Sequence, residues 1–237
     1  MEIGEIISDA LVYPFNNIKA LIVYVILGVI AGIALGGTLV GIATGTQSHN
    51  ALLTGFTGII GTIISIIALL LIMGYELDIV KYGINRDPGA PGIDVVRQVV
   101  NAIKLLIVRI VYYIIPVIVG VILMLLLGRG ILTLAIVFIV AIVFSLAAFM
   151  GTCRLAKTEN LGDALAIGEA IGDISRVGIG KLIITIIAIF VIIFVIALII
   201  GLINNLNNVI GGILLGIFSV YAVFFAQRAI GLLYSDA

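Results

Sequence analysis

Residues 94–116 read DVVRQVVNAIKLLIVRIVYYIIP, and this stretch decides how the rest of the chain is interpreted. Its first half is amphipathic, because apolar and polar residues separate onto two faces at helical spacing. One face carries Val96, Val99, Val100 and Ile103, and the other carries Asp94, Arg97, Gln98, Asn101 and Lys104. From Leu105 onward the stretch is apolar enough to enter a bilayer. We therefore expect a helix that begins in the membrane interface and continues across the membrane.

The composition places the chain among integral membrane proteins. Of its 237 residues, 63% are hydrophobic and 10% are charged, and the mean hydropathy is +1.42. A soluble domain carries about 25% charged residues, since it needs polar groups to cover its surface. The sequence therefore predicts an all-α integral membrane protein that forms a single membrane domain over residues 1–237.

The charged and reactive residues exclude several classes of function. The net charge is zero, so we expect no basic surface for nucleic acid. The single cysteine, Cys153, and the single histidine, His49, provide neither a disulfide nor a metal site. The sequence has no phosphate-binding loop, no zinc-protease motif and no nucleophile elbow. We therefore predict that the protein is not an enzyme and uses no cofactor.

Six apolar runs are long enough to cross a membrane, where a helix needs roughly 20 residues. They occupy approximately residues 20–41, 56–80, 105–127, 131–153, 181–202 and 209–233. Residues 41–55, which include His49, are polar but uncharged and are predicted to form an outer loop. Tight turns are expected at residues 128–130 and 204–208, and Pro116 is expected to kink the third run. The N-terminus is acidic where a secretory signal would be basic, so we expect the first run to be retained.

The spans are predicted to form three tandem units, approximately residues 1–83, 84–158 and 159–237. Each unit is an interfacial amphipathic helix followed by a transmembrane hairpin. The interfacial segments are residues 2–12, residues 94–104 and residues 159–177. The first is expected to be broken by Pro14 with Asn16 and Asn17, and the second is preceded by a Pro/Gly linker at 84–92. The alternative to a true repeat is that any three transmembrane hairpins with charged inner ends look alike in sequence.

The orientation follows from the distribution of lysine and arginine. Of the 12 basic residues, only Arg129 is predicted on the side of the hairpin turns. By the positive-inside rule the other side is cytoplasmic, which predicts a multi-pass protein of the cell membrane with both termini inside. We expect the basic and acidic residues near that boundary to contact lipid head groups or to extend toward water. The candidates are Lys19, Glu76, Lys104, Arg109, Arg154 and Lys181.

Two alternatives concern this charged set. Arg154 is expected to pair with Glu76 across neighbouring helices. A role for Glu76, Asp78 and Arg109 in ion or proton coupling is the other possibility, although no acidic residue or histidine lies in the middle of a span.

Glycines at helical spacing predict close helix packing in the membrane. The candidates are Gly28, Gly32 and Gly36 in the first span, Gly55, Gly58 and Gly61 in the second, and Gly211, Gly212 and Gly216 in the sixth. Packing within the bundle, packing between protomers of a homo-oligomer, and a permeation path are the three interpretations.

Short motifs resemble a known family. They are Gly74-Tyr75 at the end of the second span, the Pro/Gly linker, Asp94, Asn101 and Lys104 before Tyr112 and Pro116, and LGDA at 161–164 with IGE at 167–169. Together these resemble the largely archaeal membrane family known as domain of unknown function 4013. The resemblance implies a polytopic membrane protein and supplies no catalytic residues.

The leading functional hypothesis is a non-enzymatic membrane protein that organises the bilayer or partners through self-association. Membrane lipids and a second copy of the chain are the expected partners, with a further membrane protein as another possibility. One alternative is a transporter or channel for a small or lipid-like substrate, which a buried cavity joining Ser65, Tyr112 and Ser145 would favour. Another is an accessory subunit of a membrane complex.

Overall fold

The computed structural model describes residues 1–47 and 51–237, and every regular element in those ranges is an α-helix. The helices are α1 (Ile3–Asn16), α2 (Ile18–Gln47), α3 (Ala51–Ile84), α4 (Val95–Leu127), α5 (Ile131–Thr158), α6 (Leu161–Ala164), α7 (Ile167–Val177), α8 (Ile179–Leu206) and α9 (Asn208–Tyr234). Six of them, namely α2, α3, α4, α5, α8 and α9, are long and apolar enough to cross a membrane. This confirms the predicted all-helical fold with six spans. A helix suits lipid because it satisfies its own backbone hydrogen bonds.

The spans pack as three hairpins, α2 with α3, α4 with α5, and α8 with α9. The second helices of the hairpins also meet, since α3 packs against both α5 and α9. The short helices cover one end of the bundle, where α1 packs on α9 and α7 packs on α5. This end, which carries both termini and residues 85–94 and 159–178, is called the charged end below.

The amphipathic start of α4 is the first part of one continuous helix, which has Pro116 inside it. Asp94 caps it by accepting a hydrogen bond from the Arg97 backbone N–H at 3.0 Å. Its 33 residues extend about 50 Å, against about 30 Å for the hydrocarbon core of a bilayer. Gln98 is buried against the bundle, whereas Val96 is 75% exposed. The polar face of this segment therefore contacts protein, and the apolar face is free to contact lipid.

Three predicted boundaries are wrong. The first interfacial helix, α1, continues past residue 12 and through Pro14, because a proline in the last turn interrupts few of the helix's own hydrogen bonds. It ends at Asn16, with Asn17 as the C-cap, so the other two residues of the predicted break do lie at its end. The predicted outer loop at 41–55 is largely helical, since α2 continues to Gln47 and α3 begins at Ala51. Uncharged Thr and Gly residues do not stop a helix whose threonine hydroxyls bond to their own backbone, as Thr44 does to Val40 at 2.9 Å. His49 lies outside the described residues.

The remaining connections differ less from expectation. The turn at 128–130 is confirmed, and Gly128 has φ +76°, a left-handed conformation that glycine adopts without strain. The turn predicted at 204–208 contracts to Asn207, because α8 continues to Leu206 and α9 begins at Asn208. The third interfacial segment forms two helices, α6 and α7, because the helix is interrupted between Ala164 and Ile167.

Candidate functional site at the charged end

Three ion pairs, each with at least one buried partner, connect the helices at the charged end. In each pair, the end of a hairpin's second helix binds the segment that precedes the next hairpin, and the last hairpin closes onto α1. The pairs are Asp78 with Arg97 at 3.1 Å, Arg154 with Asp173 at 3.1 Å, and Arg228 with Asp9 at 2.7 Å. They are called the inter-unit ion pairs below. This cyclic order supports the predicted threefold repeat, which stays a prediction.

Arg228, at the end of α9, is the most completely buried of these cations, with 1% of its side chain exposed. Its guanidinium binds the Asp9 carboxylate and lies 4.7 Å from the centre of the Tyr13 ring. It also donates to the carbonyl oxygens of Tyr82 at 3.2 Å and Asp87 at 2.5 Å. One side chain therefore joins α1, α3, α9 and the linker at 85–94. A buried guanidinium needs such a full set of acceptors, because removing it from water is costly.

The linker is held by side-chain donors along its length. Its two prolines provide no N–H groups for regular structure, so its carbonyl oxygens accept from elsewhere. In addition to Arg228, the donors are Asn17 to Pro88, Tyr13 to Gly89, Tyr75 to Pro91 and Arg97 to Gly92. Beneath it, the rings of Tyr24 and Tyr75 stack at 4.0 Å beside Phe224. An irregular segment is thereby fixed as a cover over an aromatic cluster.

Asp173 of α7 is the centre of a second cluster. Its carboxylate accepts from Arg154 Nη1 at 3.1 Å, Arg176 Nη1 at 2.6 Å and the Tyr234 hydroxyl at 2.6 Å. Burial acts to raise the pKa of Asp173, but the hydrogen bonds from Tyr234, Arg154 and Arg176 outweigh it, so the pKa is lowered. The carboxylate is therefore held ionised, and it fixes α7 against α5 and α9.

Asp236 joins the two termini. Its carboxylate binds the N-terminal ammonium of Met1 at 2.7 Å, Lys181 at 2.6 Å and Arg86 at 2.5 Å. The hydrogen bonds from Lys181 and the N-terminus lower the pKa of Asp236 to about 2. This predicted lipid-contact lysine, Lys181, thus has a carboxylate partner within the protein.

The expected pairing of Arg154 with Glu76 is wrong. Glu76 accepts from Arg109 Nη2 at 3.0 Å and from Gln227 at 3.4 Å, while Arg154 binds Asp173. Helix rotation explains the difference, because it directs Glu76 of α3 toward α4 and directs Arg154 of α5 toward α7. The Glu76–Arg109 pair is an ion pair within the predicted spans.

The other predicted interfacial lysines have different surroundings. Lys104 donates to the backbone oxygen of Glu159 at 2.9 Å, and Lys81 forms an ion pair with the Glu159 carboxylate. Lys19 is exposed at the start of α2. Contact of any of these residues with lipid head groups stays a prediction.

Three cavities lie beside α4. The first, of about 170 Å³, lies between α3, α4 and α5 and is lined by Asp78, Lys81, Arg97, Lys104 and Glu159 among others. The second, of about 290 Å³, contains Arg109 and Gln227. The third, of about 370 Å³, is an apolar groove between α4 and α5.

The predicted packing glycines divide into two groups, according to what a Cβ atom placed on each would meet. Four meet the chain's own side chains: Gly28 (Val220), Gly58 (Ile42), Gly61 (Thr38) and Gly211 (Asn204). Five meet no atom of the described residues within 4 Å: Gly32, Gly36, Gly55, Gly212 and Gly216. The first group packs within the protomer, and the second has open space.

Further close helix approaches use glycines that were not predicted as packing sites. A Cβ on Gly74 would overlap the Gln98 backbone, one on Gly151 would lie 2.9 Å from the Tyr112 ring, and one on Gly83 would lie 2.9 Å from Gly231 Cα. These positions join α3 to α4, α5 to α4, and α3 to α9. The parallel Met73-Gly74 and Met150-Gly151 pairs were a usable signal for the first two.

Among the described residues, no group of three His, Cys, Asp or Glu residues could hold a metal ion. Six spans, mutually paired charges at one end and an apolar exterior define a polytopic α-helical membrane protein. More particularly, the chain belongs to the family described as "Protein of unknown function (DUF4013)", whose model matches residues 57–205. This confirms the resemblance. Searches of curated proteins and of solved structures give no match.

Proposed function

We propose that the protein is a non-enzymatic membrane protein that organises the bilayer or its partners through self-association. The observation that carries this proposal is the open space beside Gly32 and Gly36 on α2 and beside Gly212 and Gly216 on α9. Glycine inside a helix costs about 1 kcal/mol relative to alanine. A close contact that only glycine permits would offset this cost at these four positions.

The two open stripes lie on facing sides of α2 and α9. Tyr24 contacts Phe224 at 5.9 Å between ring centroids, and Gly28 would contact Val220. Continuing outward by four residues on each antiparallel helix places Gly32 level with Gly216, and then Gly36 level with Gly212. Within the described residues, no atom lies within 4 Å of a Cβ built on any of these four glycines. We infer that the outer half of the seam between α2 and α9 accepts a helix of a second copy.

Small residues are the usual basis of such contacts in lipid. The hydrophobic effect does not drive helices together in a bilayer, so close backbone approach provides the association energy. The charged end, in contrast, satisfies its main ion pairs within one chain. We therefore assign self-association to the membrane-embedded glycines and place the charged end in the cytoplasm of a cell-membrane protein, as its 11 Lys and Arg residues favour.

The transporter alternative would be favoured by a polar cavity shared by Ser65, Tyr112 and Ser145. These three hydroxyls instead have separate surroundings. Ser65 donates to Gly61 at 2.7 Å, Tyr112 donates to Ala164 at 2.9 Å, and Ser145 lines the apolar groove. The inter-unit ion pairs are consistent with a rigid scaffold. An accessory subunit of a larger complex would present the same open glycines to a different membrane protein.

A pair of leucine variants tests the proposal. Gly32→Leu fills the open seam and is expected to reduce the oligomer at least tenfold at fixed protein-to-detergent ratio, measured by light scattering after size-exclusion chromatography. Gly201→Leu on α8, where a Cβ also meets no atom within 4 Å, is the matched control and is expected to leave the oligomer intact. Equal oligomer in both variants would remove the α2–α9 seam from the proposal.

A further inference from the structure

The second and third cavities adjoin along α4 and α5, and Tyr113 lines both of them. The two together are called the groove below. On α4 the lining continues from Arg109 through Pro116 to Met124, and on α5 it continues from Thr152 to Val137. Both series follow helical spacing along one face. The groove therefore extends from near the charged end into the apolar middle of the bundle.

The groove changes from polar to apolar along its length. Near the charged end it contains the Arg109 guanidinium and the Gln227 amide. Beyond Tyr113 its lining is almost entirely apolar, with Val117, Val121 and Ala141 as examples. Val117 is 62% exposed, so this part opens sideways toward the bilayer. Small-ligand sites occupy about 300–1,000 Å³. The apolar cavity, of about 370 Å³, lies in that range, and the polar cavity, of about 290 Å³, lies just below it.

Arg109 provides the positive end of the groove. Its side chain is 36% exposed, and its hydrogen bond within the described residues runs from Nη2 to Glu76. The carboxylate fixes the guanidinium in place and leaves its other N–H groups available as donors. Arg109 is five residues deeper than Lys104, about 7.5 Å along the helix axis. A long arginine side chain at that depth reaches the phosphate level of a leaflet.

We propose that this groove binds one glycerophospholipid, with its phosphate on Arg109 and one acyl chain along α4 and α5. Charge complementarity selects the occupant, because a phosphate diester matches the guanidinium and a hydrocarbon chain matches the lining beyond Tyr113. A helix of a second copy would bring no anion to Arg109 along this apolar face. The site is separate from the α2–α9 seam and does not depend on self-association.

The test measures retained lipid in matched variants. The protein is reconstituted in vesicles of phosphatidylglycerol and phosphatidylcholine in equal parts, extracted in a gentle detergent and weighed by native mass spectrometry. We expect wild type to retain one phospholipid per chain, in monomer and oligomer peaks alike. Ala141→Phe fills the apolar groove and is expected to lower that retention at least tenfold. Ala135→Phe, an exposed position of α5 outside the groove lining, is the control and is expected to behave as wild type.

Two further variants separate loss of the site from loss of the fold. Val117→Phe obstructs the groove from an exposed position and is expected to lower retention without lowering the thermal midpoint. The double variant Glu76→Gln with Arg109→Gln keeps a neutral hydrogen-bonded pair, and it is expected to lose the preference for phosphatidylglycerol.

Three results would overturn the proposal. Equal lipid retention in Ala141→Phe and Ala135→Phe would show that lipid does not occupy the groove. Stabilisation of the lipid-free protein by inorganic phosphate alone, abolished in the double variant, would identify a free anion site instead. Loss of a dimer rather than of lipid in Ala141→Phe would identify a second copy as the occupant. Loss of the oligomer in Gly32→Leu with lipid retained leaves this inference intact.

Discussion

Replacing Arg228 by methionine is predicted to destabilise the fold and to free the linker at residues 85–94. Methionine has a similar length but donates no hydrogen bond, so the carbonyl oxygens of Tyr82 and Asp87 lose their donor. Removing one partner of a buried ion pair costs about 3–5 kcal/mol. Asp9 keeps 39% of its side chain exposed and can rehydrate, which places the loss at the lower end, about 3 kcal/mol.

Two measurements check this value. The free energy of unfolding is obtained by titrating detergent-solubilised protein with dodecyl sulfate and following helical circular dichroism. Trypsin cleavage after Arg86 reports release of the linker, and we expect it to accelerate strongly in the variant. Asp9→Asn leaves the buried Arg228 guanidinium without its carboxylate and should lose a comparable amount, about 3 kcal/mol. It keeps the Arg228 donors to Tyr82 and Asp87, so its linker should be cleaved at close to the wild-type rate. The reasoning is refuted if the linker of Arg228→Met is cleaved no faster than that of Asp9→Asn.

Two further predictions concern packing and pH. Gly231→Ala is expected to destabilise the fold by about 2–3 kcal/mol, because its Cβ would overlap the Val80 carbonyl oxygen. Gly37→Ala, in open space, is expected to stabilise the fold by up to about 1 kcal/mol. Both values are measured by the dodecyl sulfate titration. Similar effects of the two substitutions would contradict the assigned contact. The pKa of Asp236 is about 2 in the folded state, below the value of about 3.9 in the unfolded state. The ionised carboxylate therefore stabilises the fold above about pH 4, and this contribution is lost as the pH falls toward 2. The difference in thermal midpoint between wild type and Asp236→Asn should shrink over that interval, and a difference independent of pH would refute it.

The six spans were predictable because the bilayer imposes a length on each of them. A run of about 20 apolar residues admits few structures other than a crossing helix, so residues 105–127 and 131–153 could be assigned from composition alone. Breaks were predictable where residues restrict the backbone strongly, as in the Pro/Gly linker and at Gly128. The continuation of α1 through Pro14 and of α2 to Gln47 was not predictable, since proline in a last turn and uncharged Thr and Gly are compatible with helix.

The partners of the charged residues depend on helix rotation and on which helices are neighbours. The sequence places Glu76 and Arg154 at similar depths, but depth does not determine which neighbouring helix each one faces. Asp173 is 19 residues beyond Arg154 on a separate short helix, so no local periodicity connects the two. The burial of Arg228 was not predictable from the sequence either, because its acceptors lie on α1, α3 and the linker.

The glycines illustrate the same limit. Spacing alone selected Gly32 and Gly61 on equal grounds, but only Gly61 has a neighbour in the protomer. A stripe of small residues predicts close approach without specifying the approaching helix. The structure separates glycines that contact the same chain from glycines beside open space, and the second group carries the proposal of self-association.

Native mass spectrometry of the wild-type chain, released from a gentle detergent, tests that proposal most directly. We expect a single homo-oligomer with a defined number of copies, and we expect Gly32→Leu to convert it to monomer while Gly201→Leu does not. A wild-type protein that is monomeric at every detergent concentration that preserves its fold would contradict the account.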